Sequence, residues 1–199
     1  AYVDYVMPGI FIQTVSFGAV STSVGIAEDL HKGLIERFRA LPMARSAVLT
    51  GRTTADLVRN AISSAIMTGI AFAVGFRVHT NAGGFLAGIL ILILFAWTIS
   101  WGFTTVGLAA PNSETANFMS FPILLPLTFA SSAFVPVSTM PGWLQAFARN
   151  QPVSEVVGAI RALMVGGPTT TYVVKAVIWC VGLLAVLVPL ALFQYRRAS

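Results

Sequence analysis

The chain has 199 residues, of which 56% are hydrophobic and 10% charged, with a mean hydropathy of +0.82 and a net charge of +5 at neutral pH. Soluble domains carry about 25% charged residues, so this composition excludes an ordinary water-soluble domain and places the chain in a bilayer. The basic residues gather at the ends of apolar runs and in one loop, where anionic lipid and the positive-inside rule account for them, so nucleic acid is not an expected partner.

The first apolar segment runs from Tyr5 to Ala27 and opens at Pro8-Gly9. A polar, charge-rich stretch follows from Glu28 to Arg59, and a second span from Leu57 to Gly75 has Arg59 and Asn60 at its mouth. The link Phe76–Ala82 carries Arg77 and His79. From Gly83 to Leu108 there is no charged residue, and this run exceeds the ~20 apolar residues that cross a ~30 Å hydrocarbon core. The polar link Ala110–Asn117 leads to a fourth span from Phe118 to Phe134, and a fifth covers Val173–Phe193. The expected fold is therefore all-α, a polytopic membrane protein with five transmembrane helices. Small residues in the first span (Gly18, Ala19, Ser21, Ser23, Gly25) suit close helix packing.

Five spans put the two ends of the chain on opposite faces. One face collects Lys32, Arg37, Arg39, Arg45, Arg52, Arg59, Arg196 and Arg197; the other collects only Arg77, Arg149, Arg161 and Lys175. The excess places the Glu28–Arg59 loop and the C-terminus in the cytoplasm. A first residue on the outer face, with no Met and no basic leader, is expected of a chain lacking at least one earlier span.

Two segments between spans have helical pattern. In Asp29–Leu41, Leu30, Leu34, Phe38 and Leu41 form an apolar stripe, with Asp29, Lys32, Glu36 and Arg39 opposite; Pro42 ends the helix, and a second helical stretch from about Ala44 leads into the next span. The pattern fits either an interfacial helix or a docking element for a cytosolic partner. On the outer side, Pro136, Pro141 and Pro152 divide the chain into Gly142–Asn150 and Ser154–Met164. Ser154 is a candidate N-cap, Trp143 and Phe147 are candidate interface anchors, and the pair reads as a re-entrant or interfacial helical hairpin or as a plain external loop.

Catalytic chemistry is not visible. Neither Lys32 nor Lys175 follows a glycine array of the phosphate-cradling type, so no nucleotide site is expected in this chain. His31 and His79 lie on opposite faces, no G-x-S-x-G occurs, and the lone Cys180 offers no disulfide or Cys-based metal site. No catalytic residue, metal site or cofactor is expected. Away from their ends the five spans hold no Asp, Glu, Lys, Arg or His, which argues against a self-powered carrier and for a conduit driven from outside.

The run Glu28-Asp29-Leu30-His31-Lys32-Gly33-Leu34-Ile35-Glu36-Arg37-Phe38-Arg39-Ala40-Leu41-Pro42-Met43-Ala44-Arg45 resembles the cytosolic segment of ABC type-2 permeases, in particular their daunorubicin/doxorubicin-resistance branch. Pro136, Met140-Pro141-Gly142-Trp143-Leu144, Asn150-Gln151-Pro152 and Ala159-Ile160-Arg161 resemble that family's outer hairpin before its last span, with Gln151 a departure. The resemblance takes in residues 1–199 as one permease transmembrane domain, N-terminally incomplete because the family has six spans.

It implies a multi-pass plasma-membrane subunit of an ATP-driven exporter for a hydrophobic or amphipathic compound, such as an antibiotic or a lipid. ATP and magnesium would sit on a separate cytosolic ABC ATPase, and a second permease copy and membrane lipid would be the other partners. Asp29–Leu41 becomes the ATPase-coupling helix, with Gly33, Leu34, Glu36, Arg37, Phe38, Arg39 and Pro42 its candidate residues. Pro141, Trp143, Pro152 and Arg161 mark the outer hairpin, and Phe11, Phe17, Phe121 and Phe129 are candidates for an apolar path between two copies. The alternatives are a non-transporting membrane scaffold and a fragment of a secondary carrier.

Overall fold

The computed structural model describes residues 2–33, Arg37 and 45–197. Helix α1 spans Tyr2–His31, α2 Arg45–Ala73, α3 Ala82–Ala109, α4 Ser113–Phe129, α5 Gly142–Asn150, α6 Pro152–Met164 and α7 Thr169–Arg197. A 3-10 turn at Val137–Thr139 precedes α5, and no strand occurs among the described residues. By length and composition three of these helices, α1, α3 and α7, can cross a membrane.

The most apolar of the inner helices, α3, lies at the centre and packs against α1, α2, α4, α6 and α7. A helix that is apolar all round belongs in a protein core or a membrane: its residues Ile91, Leu92, Phe95, Ala96, Trp101 and Phe103 are in the core, whereas Leu86 and Leu90 are exposed. Asn81 caps its start by accepting from the Gly84 N–H at 2.8 Å, and Asn112 caps α4 by accepting from Thr115 N–H at 2.8 Å.

Two helices are inverted relative to a soluble protein. On α2 the buried face is mostly polar, Thr53, Asp56, Asn60, Ser64 and Thr68 together with Leu49 and Ala71, while Val58, Ile62, Ile66, Ile70 and Val74 are exposed. On α4 the buried stripe is Ala116, Ser120, Leu124 and Thr128, with Phe118, Phe121, Ile123, Leu125 and Phe129 outside. Water would drive both arrangements the other way, whereas an apolar solvent favours them.

The α1–α4 seam is built from small residues: Ser23 Oγ lies 2.8 Å from Ser120 Oγ, and Ala27, Ala110 and Ala116 pack together. Of the small residues expected to let helices approach, Ala19 and Ser23 are buried, Gly18 sits under Asn60 and Gly25 under Arg52, whereas Ser21 is exposed. Backbones also approach closely at Gly107, where a Cβ would lie 2.5 Å from Ser23 O and 3.0 Å from Ser23 Cα. Gly107→Ala should therefore force α1 and α3 apart at a cost of about 1–3 kcal/mol, outweighing alanine's helix propensity. Gly102→Ala, which meets only Leu187 Cδ1 at 3.5 Å, should be neutral or stabilising. Thermal unfolding of both variants in detergent gives the comparison, and equal melting points would contradict this account of the seam.

Several expected boundaries shift. The fourth span was expected to reach Phe134, but α4 stops at Phe129, after which Ser131 and Ser132 make loop hydrogen bonds. Ser154 is not an N-cap: α6 starts at Pro152, with Gln151 before it, and Ser154 Oγ instead accepts from the Ser132 N–H at 3.0 Å. The charge-free description of the second span depended on starting it near Leu57. The observed α2 begins twelve residues earlier and buries Asp56 to 6% exposure.

The Asp29–Leu41 helix does not start at Asp29. Residues Asp29, Leu30 and His31 finish α1, and Leu30 packs on the Ile26, Leu49, Trp101 and Tyr195 cluster. Gly33, at φ 66°, turns the chain there, a backbone that costs glycine least.

Candidate functional site

The long helices run alternately between two polar ends, and the functional candidates divide between those ends. At one end the last turn of α1 meets the start of α2, where Arg52 pairs with Asp29. Arg59 bonds Asp56 at 3.0 Å and donates to Gly18 O and Ser21 Oγ on α1 at 3.2 and 2.8 Å. Glu28, His31 and Lys32 face Asn112, Ser113 and Glu114 of the α3–α4 link across a polar cleft. Tyr195, near the end of α7, is buried at the same end.

Gly33 and Arg37 are the coupling candidates whose placement is described. Arg37 is exposed, and its N–H donates to Gly33 O at 3.2 Å. Leu34, Glu36, Phe38, Arg39 and Pro42 lie outside the described residues.

The opposite end is tied together by two side chains. Asp4 of α1 accepts from the Arg77 N–H at 3.3 Å and lies 3.3 Å from His79 Nε2. Arg161 of α6 donates to Tyr5 O at 2.9 and 3.2 Å and to Ser132 O at 3.1 Å, with its guanidinium 3.8 Å above the Tyr5 ring. Burial lowers the pKa of this guanidinium from its ordinary value, and its Nε and Nη2 make three hydrogen bonds to two carbonyls. Arg161 thus joins α1, the segment after α4 and α6.

The hairpin itself is asymmetric. Pro141 opens α5, its carbonyl accepting from Leu144 and Gln145 at 2.9 Å each, while Trp143 is 77% and Phe147 47% exposed. Pro152 occupies the first turn of α6, where the missing N–H costs nothing. That helix is almost wholly buried: Val153, Val156, Val157, Ile160 and Met164 pack among α1, α3 and α7. Gln151, between the two helices, is buried and donates its amide to Ala130 O at the end of α4.

The four phenylalanines do not share one surface. Phe11 is 1% exposed and meets Phe76 edge to face at 6.2 Å. Phe17, Phe121 and Phe129 are exposed, and Phe129 stacks on Phe134. Sequence reading missed the polar stripe of α2, although the spacing Asp56, Asn60, Ser64, Thr68 was available as a signal, and it missed Glu155 altogether.

Residues 1–165 match the family model described as ABC-2 type transporter, and with a relative 35% identical over the full chain this decides the family. The chain belongs to the ABC-2 type transporters. That relative is the daunorubicin resistance ABC transporter permease protein DrrB1 of Streptomyces coeruleorubidus, of which the match covers 70%. The ABC-2 chain is also similar to the probable doxorubicin resistance ABC transporter permease protein DrrC of Mycobacterium tuberculosis (28% identity, 98% of this chain and 70% of the relative). A more distant similarity is to Nodulation protein J of Rhizobium meliloti, at 25% identity over 79% of this chain and 63% of that protein. This ABC-2 chain is accordingly a membrane protein and a permease-type subunit. Its exposed apolar helix faces agree with that assignment.

Proposed function

We propose that the chain is the membrane-spanning permease subunit of an ATP-driven exporter that moves a hydrophobic or amphipathic compound, a drug or a lipid, out of the cell. The observation that carries this reading is the ABC-2 match over residues 1–165, which takes in the α1–α2 connection as well as the bundle.

In this reading five helices cross the bilayer. To α1, α3 and α7 are added α2 and α4, whose buried polar and exposed apolar faces are what hydrocarbon solvent requires. α6 re-enters the bundle from the outer side, and α5 lies in the interface with Trp143 and Phe147 in the headgroup region. The segment after Gly33 docks on a cytosolic ATPase, which binds ATP and magnesium. Nucleotide-driven closure of two such ATPases pushes the α1–α2 ends of two permease copies and opens a path between them, a rigid-body change. Phe17, Phe121 and Phe129, on exposed faces, are better placed for that path than Phe11.

Two measurements bear on this. Lys32→Cys should react with a membrane-impermeant maleimide only from the cytoplasmic side, and Ser138→Cys only from outside, with native Cys180 silent because it is buried. The reverse pattern would overturn the orientation. For transport, the complex of this permease with its co-purifying ATPase, in proteoliposomes, should show ATP-dependent movement of amphipathic compounds and ATPase activity stimulated by them. Absence of both would leave a non-transporting scaffold as the better reading.

A further inference from the structure

We propose that the outer end of the molecule carries a phospholipid headgroup site where α5, α6 and α7 meet. A cavity of about 430 Å³ opens there between Arg149, Asn150, Ser154, Glu155, Tyr172 and Lys175. Ser154 and Glu155 are buried, at 6% and 5% exposure, and form its floor; Arg149, Asn150, Tyr172 and Lys175 are exposed and form its rim. One carboxylate oxygen of Glu155 lies 3.4 Å from Lys175 Nζ. The other is buried and has no hydrogen-bond partner among the described residues.

A buried carboxylate oxygen lacking a donor is costly and uncommon, so a donor from outside the chain is the natural complement. The same cavity is lined by two cations, Lys175 and Arg149, the latter donating to Gln145 Oε1 at 3.2 Å, against one carboxylate. Such a site fits an anion with a hydrogen-bond donor a few atoms away. A phosphodiester would meet Lys175 and Arg149, and an adjoining hydroxyl or ammonium would donate to Glu155. Phosphatidylglycerol and phosphatidylethanolamine have this arrangement; phosphatidylcholine has the phosphate and no donor.

The depth of the cavity identifies the source as membrane lipid. Between Lys175 and Arg196, α7 carries no charged residue, a helical run of about 30 Å that matches the hydrocarbon core. With Arg196 and Arg197 at the inner boundary, Lys175 sits at the outer one, level with the headgroups. Below it Ile178, Trp179 and Val186 are exposed on α7, an apolar surface along which acyl chains can lie.

The site rests on the proposed crossing of α7 and not on any transport step, so it is tested by binding. The purified full chain in detergent is offered dioleoyl phosphatidylglycerol, phosphatidylethanolamine or phosphatidylcholine at equal concentration, and retained lipid is read by native mass spectrometry. The first two should be retained at least fivefold over the third. Lys175→Ala and Arg149→Ala should each reduce that retention severalfold. Glu155→Gln, close in shape, should narrow the gap between phosphatidylethanolamine and phosphatidylcholine.

Equal retention of the three lipids, or variants that bind like the parent at unchanged melting temperature, would overturn the proposal. Displacement of phosphatidylglycerol by millimolar inorganic phosphate would show a simple anion site and overturn the lipid assignment. If α7 did not cross as proposed, an exposed Arg197→Cys would not be labelled from the side opposite Ser138→Cys, which separates an error in the course of α7 from an error in the site.

Discussion

Reversing Arg37 and Arg39 to Glu is expected to abolish export and ATPase co-purification together, while leaving the permease in the membrane at near-normal amounts. Arg37 is exposed just beyond the Gly33 turn that ends α1, so nothing described inside the bundle depends on it. If the segment docks on an ATPase, reversal sets an unpaired or like charge against the partner. Removing one member of a desolvated charged pair costs about 2–5 kcal/mol, and reversal should be no milder, which at 1.4 kcal/mol per decade is a loss of affinity of roughly thirtyfold or more. The other basic residues on this side still favour a cytoplasmic loop. Affinity pull-down from solubilised membranes and vesicle export assays are the readouts. Intact co-purification with full export would return the segment to a purely interfacial role.

Arg161→Ala should be the most destabilising single change at the outer end. It removes hydrogen bonds from a charged donor to Tyr5 O and Ser132 O and the stacking on Tyr5. Bonds to charged groups contribute about 1.5–3 kcal/mol each, so a loss of about 3 kcal/mol is expected. Arg161→Lys should recover only part of it, because an ammonium lacks the planar fork that reaches two carbonyls while lying flat on a ring. Thermal unfolding of the three proteins in one detergent should rank Arg above Lys above Ala. An alanine variant as stable as the parent would remove Arg161 from its role in joining α1 to α6.

Much of the helical plan was legible in the sequence because hydrophobic runs report burial in lipid directly: α1, α3 and α7 lie within a few residues of their expected positions. The α5 bounds, Gly142–Asn150, coincide with those set by Pro141 and Pro152. What the runs conceal is polarity that faces inward. The helical stretch expected from about Ala44 is the observed start of α2, but its inward polarity is hidden, since Thr53, Asp56 and Asn60 lower its hydropathy although all three are buried against neighbours. In the same way the stripe from Leu30 to Leu41 was periodic, but periodicity does not say that Leu30 belongs to α1. Glu155 carried no local signal at all, because its partner Lys175 is on another helix. Of the candidate path residues, Phe11 and Phe17 differ only in which side of α1 they occupy, which the near-absence of a polar face on that helix leaves open.

The inward polar stripe of α2 bears on how the chain is made. With Asn60, Ser64 and Thr68 on one side and Asp56 at its polar end, α2 alone is a poorer substrate than α3 for partitioning from the translocation machinery into lipid, where polar groups without partners cost free energy. α1 emerges first, and it offers the buried small and polar face that α2 packs against. The unit of integration is therefore the α1–α2 pair. An α2 segment fused to a glycosylation reporter should be translocated whole when expressed without α1 and retained in the bilayer when α1 precedes it. A substitution on α1 such as Gly18→Leu, which would strike the Asn60 amide, would then act during synthesis, lowering the yield of inserted protein before it had any chance to alter the finished machine.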